Sequence, residues 1–145
     1  MSLIQNLQDN VKEAMKSGDS FKLGTMRMLL AAIQNEHIAK GKDKEFTDEE
    51  ALGVLRRELK KRREAATLYV QGGRQDLADK ENSEAEFIKT YLPAELTDSE
   101  LEKIVKEVMA GGETNLGKLM GQIVPKVSGR AEPRRISEVV KKFLG

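Results

Sequence analysis

Leu3, Leu7, Val11, Ala14 and Met15 return at intervals of three and four residues, and Ile136, Val139, Val140, Phe143 and Leu144 repeat the rhythm at the far end. That spacing lines one face of a helix turning every ~3.6 residues; a strand, whose side chains alternate, would scatter it over both faces. No convincing strand-like alternation interrupts it and no internal repeat is visible. The chain is therefore expected to be all-α.

Punctuation divides the rhythm. Lys16-Ser17-Gly18-Asp19 closes the first helix, and a second runs from about Ser20 to Ala39 with Met26, Leu30, Ile33 and His37 on one stripe. After a charged loop from Gly41 to Phe46, Thr47 and Glu50 form a capping box, in which the hydroxyl takes an orphan N–H and the carboxylate reaches back. The third helix turns Leu52, Leu55, Leu59, Ala66 and Tyr69 inward until Gly72-Gly73 stops it. A fourth, from about Gln75 to Leu92, carries Leu77, Ala85, Ile88 and Leu92, and Pro93 excludes the residue before it from helical geometry.

A second capping box, Thr97 with Glu100, opens a helix with Leu101, Ile104, Val105, Val108 and Met109 inward, ended by Gly111-Gly112. Asn115 caps a short helix with Leu116, Leu119, Met120 and Ile123, expected to be interrupted near Pro125. Pro133 suits the first turn of the last helix, where its missing N–H costs nothing. The expected architecture is an N-terminal four-helix module over residues 1–93 and a small C-terminal three-helix module over residues 94–145.

The absence of cysteine removes disulfides, thiolate nucleophiles, iron–sulfur clusters and sulfur-ligated zinc, and fits a reducing compartment. The opening Met-Ser-Leu-Ile-Gln-Asn-Leu has no basic n-region, and no stretch approaches the ~20 apolar residues of a membrane span. These features lead to an expected cytoplasmic location with no membrane partner. Net charge is only +1. Its distribution is uneven: residues 1–93 are neutral, residues 94–114 carry −4 and residues 115–145 carry +5. The last segment is a basic element on a neutral body.

Catalytic chemistry is not legible. A nucleophile needs a base held beside it, and the single histidine, His37, sits on an apolar stripe next to Glu36, where a packing role is expected. Walker, Rossmann and Gly-x-Ser-x-Gly patterns are missing, and the paired glycines fall where helices end. Asp48-Glu49-Glu50 offsets a helix dipole, while Glu81, Glu84 and Glu86 lie on a charge-mixed face. No catalytic residue, cofactor or metal ligand is assigned.

Two basic features remain. Arg56, Arg57, Lys60, Lys61, Arg62 and Arg63 crowd one helix, relieved by Glu58 and Glu64. They form either a solvated face with i,i+4 pairs or a secondary phosphate-contacting ridge of Arg56, Arg57, Lys60, Lys61 and Arg63. In the basic segment, Lys118, Lys126 and Arg130 flank or follow a short helix, and Arg134 and Arg135 stand at the N-terminus of the next. Cations there oppose the macrodipole, which itself attracts anions, so these five are the candidate RNA-binding residues. Phe21, Phe46, Tyr69, Phe87, Tyr91 and Phe143 fall mostly on or beside inward stripes. They leave no platform for stacking unpaired bases, so the expected target is structured RNA met through backbone and shape, not a single strand read base by base.

Several stretches, in order along nearly the whole chain, resemble the YqeY-like family. They are Arg27-Met28-Leu29 with Asn35-Glu36, Glu58 to Arg63, Gly73-Arg74-Gln75-Asp76-Leu77-Ala78, Tyr91-Leu92-Pro93 with Leu96-Thr97 and Glu100, and Gly117-Lys118-Leu119-Met120-Gly121 through Gly129-Arg130-Ala131. That family is related to the tail of GatB, the B subunit of tRNA-dependent amidotransferase, and similar tails are appended to some glutaminyl-tRNA synthetases. The resemblance implies a non-catalytic accessory protein that binds tRNA or a tRNA-handling enzyme. It also carries an association with carbon–nitrogen ligase activity using glutamine as amido-N-donor, exercised only within a complex because the catalytic portions lie outside the region of resemblance. A helical protein–protein adaptor is the alternative from another class. Glu132-Pro133-Arg134-Arg135 departs from the family pattern, where a Gly-containing turn is expected.

Overall fold

The computed structural model describes residues 2–145. Among them it is all-helical: α1 (Leu3–Ser17), α2 (Ser20–Lys40), α3 (Asp48–Gln71) and α4 (Gln75–Lys89), then α5 (Asp98–Met109), α6 (Leu116–Val127) and α7 (Pro133–Leu144). The chain divides into two compact units, the first ending at Leu92 and the second running from Pro93 to Gly145.

In the first unit α1 pairs with α2 and α3 with α4, around a core of Leu7, Met26, Leu29, Ile33, Val54, Leu55, Leu59 and Ile88. The Thr47–Glu50 capping box opens α3 in both directions, Thr47 Oγ1 accepting from the Glu50 N–H and Glu50 from the Thr47 N–H. α1 opens with a third such box, Ser2 with Gln5, in which the amide replaces the carboxylate. Gly18 and Gly73, each at φ 74°, supply the left-handed turns that end α1 and join α3 to α4. Between Lys60 and Glu84 the α3–α4 hairpin buries only the small side chains Ala66 and Ala78.

His37 takes the packing role its stripe suggested. Its Nε2 lies 2.7 Å from the Lys44 carbonyl, and its ring stacks on Phe46 at 5.2 Å, fastening the 41–46 loop to the end of α2. Two first-unit expectations are corrected. α4 stops at Lys89, because Thr90, Tyr91 and Leu92 tighten into i→i+3 bonds before Pro93 is reached. Met15 is 57% exposed, off the buried face that Leu7 and Ala14 define.

The second unit packs α5, α6 and α7 around Leu101, Val105, Leu119, Ile123, Val127, Ile136 and Val140. Thr97 and Glu100 cap α5 reciprocally, and Asn115 Oδ1 caps α6 by accepting from the Lys118 N–H. α6 is not interrupted at Pro125. Proline there lies in the last turn and forfeits only the bond to the Gly121 carbonyl, while the Ser128 N–H closes the end onto Val124. The turn that the Glu132-Pro133 segment lacks is made upstream by Ser128 and Gly129, both at positive φ.

Candidate nucleic-acid interface

The five candidate cations of the second unit divide by location. Lys126 ends α6, Arg130 follows it, and Arg134 and Arg135 begin α7, so four gather at the α6–α7 junction. Lys118 sits two turns back along α6, roughly 12 Å up the axis. α7 begins at Pro133 without any side-chain cap from Glu132. The Ile136 N–H is closed by the Glu132 carbonyl, which leaves those of Arg134 and Arg135 at the open helix end.

They also divide by partner. Among the described residues Lys118 and Lys126 carry no ion pair, and Arg134, fully in solvent, meets only Glu138 one turn along its own helix at 3.4 Å. Arg130 and Arg135 do structural work as well. Arg130 Nε donates to the Ala94 carbonyl at 2.9 Å, while its own carbonyl accepts from the Leu96 N–H at 2.8 Å. One residue thereby brackets the segment that enters α5. Arg130 also faces Glu100 at 3.9 Å, and Arg135 donates to Asp98 at 2.8 Å. Hydrogen bonds from Thr97, first from its hydroxyl and then from its N–H, hold the Glu100 carboxyl below its usual range, and the charge of Arg130 lowers it further. The acidic start of α5 was not singled out as part of this site, although the −4 segment preceding the +5 segment was its signal.

The α3 ridge is largely answered by acids. Arg56 meets Glu49 at 3.2 Å, Arg57 meets Glu36 at 3.4 Å, Lys60 meets Glu64 at 3.9 Å and Lys61 meets Glu58 at 3.7 Å. Arg63 carries no ion pair among the described residues. Arg62 has a different task. Its side chain is only 12% exposed and lies within 3.0 Å of Glu58 and 3.1 Å of Glu84, with Glu81 at 3.9 Å. It therefore clamps α3 to α4, although its Nε makes no aligned hydrogen bond despite the nearness of Glu84. Nothing in the sequence separated Arg62 from its neighbours, because two of its three acids, Glu81 and Glu84, come from α4.

No group of three or more His, Asp or Glu side chains among the described residues is arranged to hold a metal ion, and no helix is long and apolar enough to cross a membrane.

A family model described as "Yqey-like protein" matches residues 4–144. The chain belongs to the YqeY-like family. Its relatives include proteins named "Altered inheritance of mitochondria protein 41, mitochondrial". One, from Clavispora lusitaniae, is 31% identical over 84% of this chain and 74% of its own length. Another, from Pyrenophora tritici-repentis, is 26% identical over 99% of this chain and 81% of its own. A third, from Vanderwaltozyma polyspora, is 31% identical over 72% of this chain, which spans only 60% of that relative. These relatives are named as mitochondrial proteins, which overturns the expected cytoplasmic location. The expectation leaned on the lack of thiols, which suits any reducing compartment and carries no address.

Proposed function

We propose that this YqeY-like protein is a non-catalytic accessory factor that binds structured RNA of the tRNA type through its C-terminal unit. The observation that carries this reading is the α6–α7 junction, where Lys126, Arg130, Arg134 and Arg135 fall in sequence on either side of the start of α7, a helix N-terminus with no side-chain cap. A phosphate there meets side-chain cations, free N–H groups and the positive end of the dipole together. The half-burial of Phe46, Tyr69, Phe87, Tyr91 and Phe143, with Phe21 alone of the six rings exposed, supports backbone contact over base stacking. The first-unit ridge, with most of its cations already paired, is the weaker candidate surface.

The test is titration of a transcribed tRNA against salt, competed with a random single strand. Five phosphate contacts would give a slope of about −4 to −5 in log affinity against log salt, since each contributes roughly −0.9 on a duplex. Reversing Lys118, Lys126 and Arg134 to Glu removes the three cations without a cross-helix partner. It should cut affinity by orders of magnitude and flatten the slope to about −2, with helix content unchanged. A parent chain that holds no tRNA at low salt would overturn the reading and leave the junction to an acidic protein partner.

A further inference from the structure

The second unit carries its own competitor for the anion it is proposed to bind. Three carboxylates in the opening turns of α5 each meet a cation from a different part of the unit. Asp98 lies 2.8 Å from Arg135, Glu100 lies 3.9 Å from Arg130, and Glu102 lies 3.1 Å from Lys142 in the last turn of α7. Two of those cations belong to the α6–α7 junction. Asp98 is 90% and Glu100 51% exposed, so these two are held by charge and not by packing, while Glu102, 33% exposed, is more enclosed. Exposed ion pairs of this kind are weak and exchangeable, each worth a factor of roughly 1.4 to 5 in an equilibrium.

We propose that Asp98, Glu100 and Glu102 act as an internal phosphate substitute, occupying Arg135, Arg130 and Lys142 until an external polyanion displaces them. This rests on the RNA-binding reading above and adds a restraint to it. A phosphate reaching Arg130 or Arg135 must break a carboxylate pair first, so apparent affinity falls by the strength of the pairs broken. Weak polyanions are thereby rejected, while a ligand presenting several phosphates at once displaces all three acids. Arg130 gives the displacement a mechanical consequence. A guanidinium turned toward a phosphate releases the Ala94 carbonyl, loosening one of the two bonds that bracket the entry to α5.

The experiment compares two triple variants with the same change in net charge. Asp98→Asn, Glu100→Gln and Glu102→Gln empty the pairing positions while keeping side-chain shape, and Gln in place of Glu100 preserves the capping box. Glu95→Gln, Glu107→Gln and Glu113→Gln form the control, because none of these three pairs with a cation among the described residues. By anisotropy of a labelled tRNA transcript, the first set should bind about tenfold more tightly than the control, the product of three exposed pairs. Its salt slope should also be steeper, because in the parent the salt that weakens RNA contact loosens the internal pairs as well.

Equal affinities for the two sets would overturn the inference and leave the RNA reading standing. If neither set nor the parent holds tRNA, the RNA reading fails and retention on immobilised heparin decides the inference alone. Elution of the first set at higher salt than the control would sustain the masking, and co-elution would end it. Matching melting curves for the two sets, measured beforehand, separate masking from a loss of fold.

Discussion

The two basic regions of this protein neutralise their charge in different ways. On α3 most cations are answered locally: Lys60 and Lys61 pair with Glu64 and Glu58 within a helical turn, and Arg57 reaches Glu36 on α2. In the second unit, Arg134–Glu138 apart, the pairs are long-range, Arg135 to Asp98 spanning 37 residues and Lys142 to Glu102 spanning 40. Local pairs form whenever the helix forms, so the α3 ridge has its counter-charge in place by construction. Pairs between helices exist only once the unit has packed, and they are made of groups that another anion can take over. A dense run of cations in sequence is thus the poorer guide to a binding surface here, and the sparser basic segment is the better one.

The largest expected effect tests whether the two regions belong to independently folding bodies. Leu55→Ala and Leu101→Ala each empty a fully buried position in one unit, and each should cost about 2–5 kcal/mol. Each should lower only its own transition when melting is followed by a probe placed in each unit. A single transition that both substitutions shift equally would show that the chain unfolds as one body.

Next in size is the contrast between two arginines. Arg62→Ala leaves Glu84, 13% exposed, without its cation at the α3–α4 seam, and Glu58, 14% exposed, with only Lys61 at 3.7 Å. A cost of about 2–3 kcal/mol is expected in denaturant unfolding, below that of a fully buried pair because the site is partly wet. Arg135→Ala, whose partner Asp98 lies in solvent, should cost less than about 1 kcal/mol. Equal costs would erase the distinction between a structural clamp and an exchangeable pair.

The smallest effect sharpens the comparison at the two Thr-Glu capping boxes. Glu50 and Glu100 are both held below the usual carboxylate range, but for different first reasons: the Lys40 hydrogen bond for Glu50 and the Thr97 hydroxyl for Glu100. Depressed folded values mean that both carboxylates contribute at neutral pH, and that the contribution disappears as pH falls through those lowered values. Carboxyl titration by NMR should show Thr97→Ala raising Glu100 toward its ordinary value. Thr47→Ala should leave Glu50 still lowered, and Lys40→Met should be the change that raises it.

By itself the sequence determined the helices and most of their ends. Capping threonines, terminal glycines and apolar stripes act within a turn or two, so their consequences are written locally. Where tighter turn bonding intervened, at Thr90 to Leu92, or where a proline fell in a last turn, as at Pro125, the local signal misplaced a boundary. The five candidate cations were legible as residue types, because composition and dipole arguments need no partner. Which of them are occupied was not. Arg130 at Ala94, Arg135 at Asp98 and Arg62 among three glutamates each depend on a second helix arriving at a given distance and rotation. Only the tertiary structure decides that, because an ion pair falls off steeply with separation and the chain between its members holds no record of how close they come.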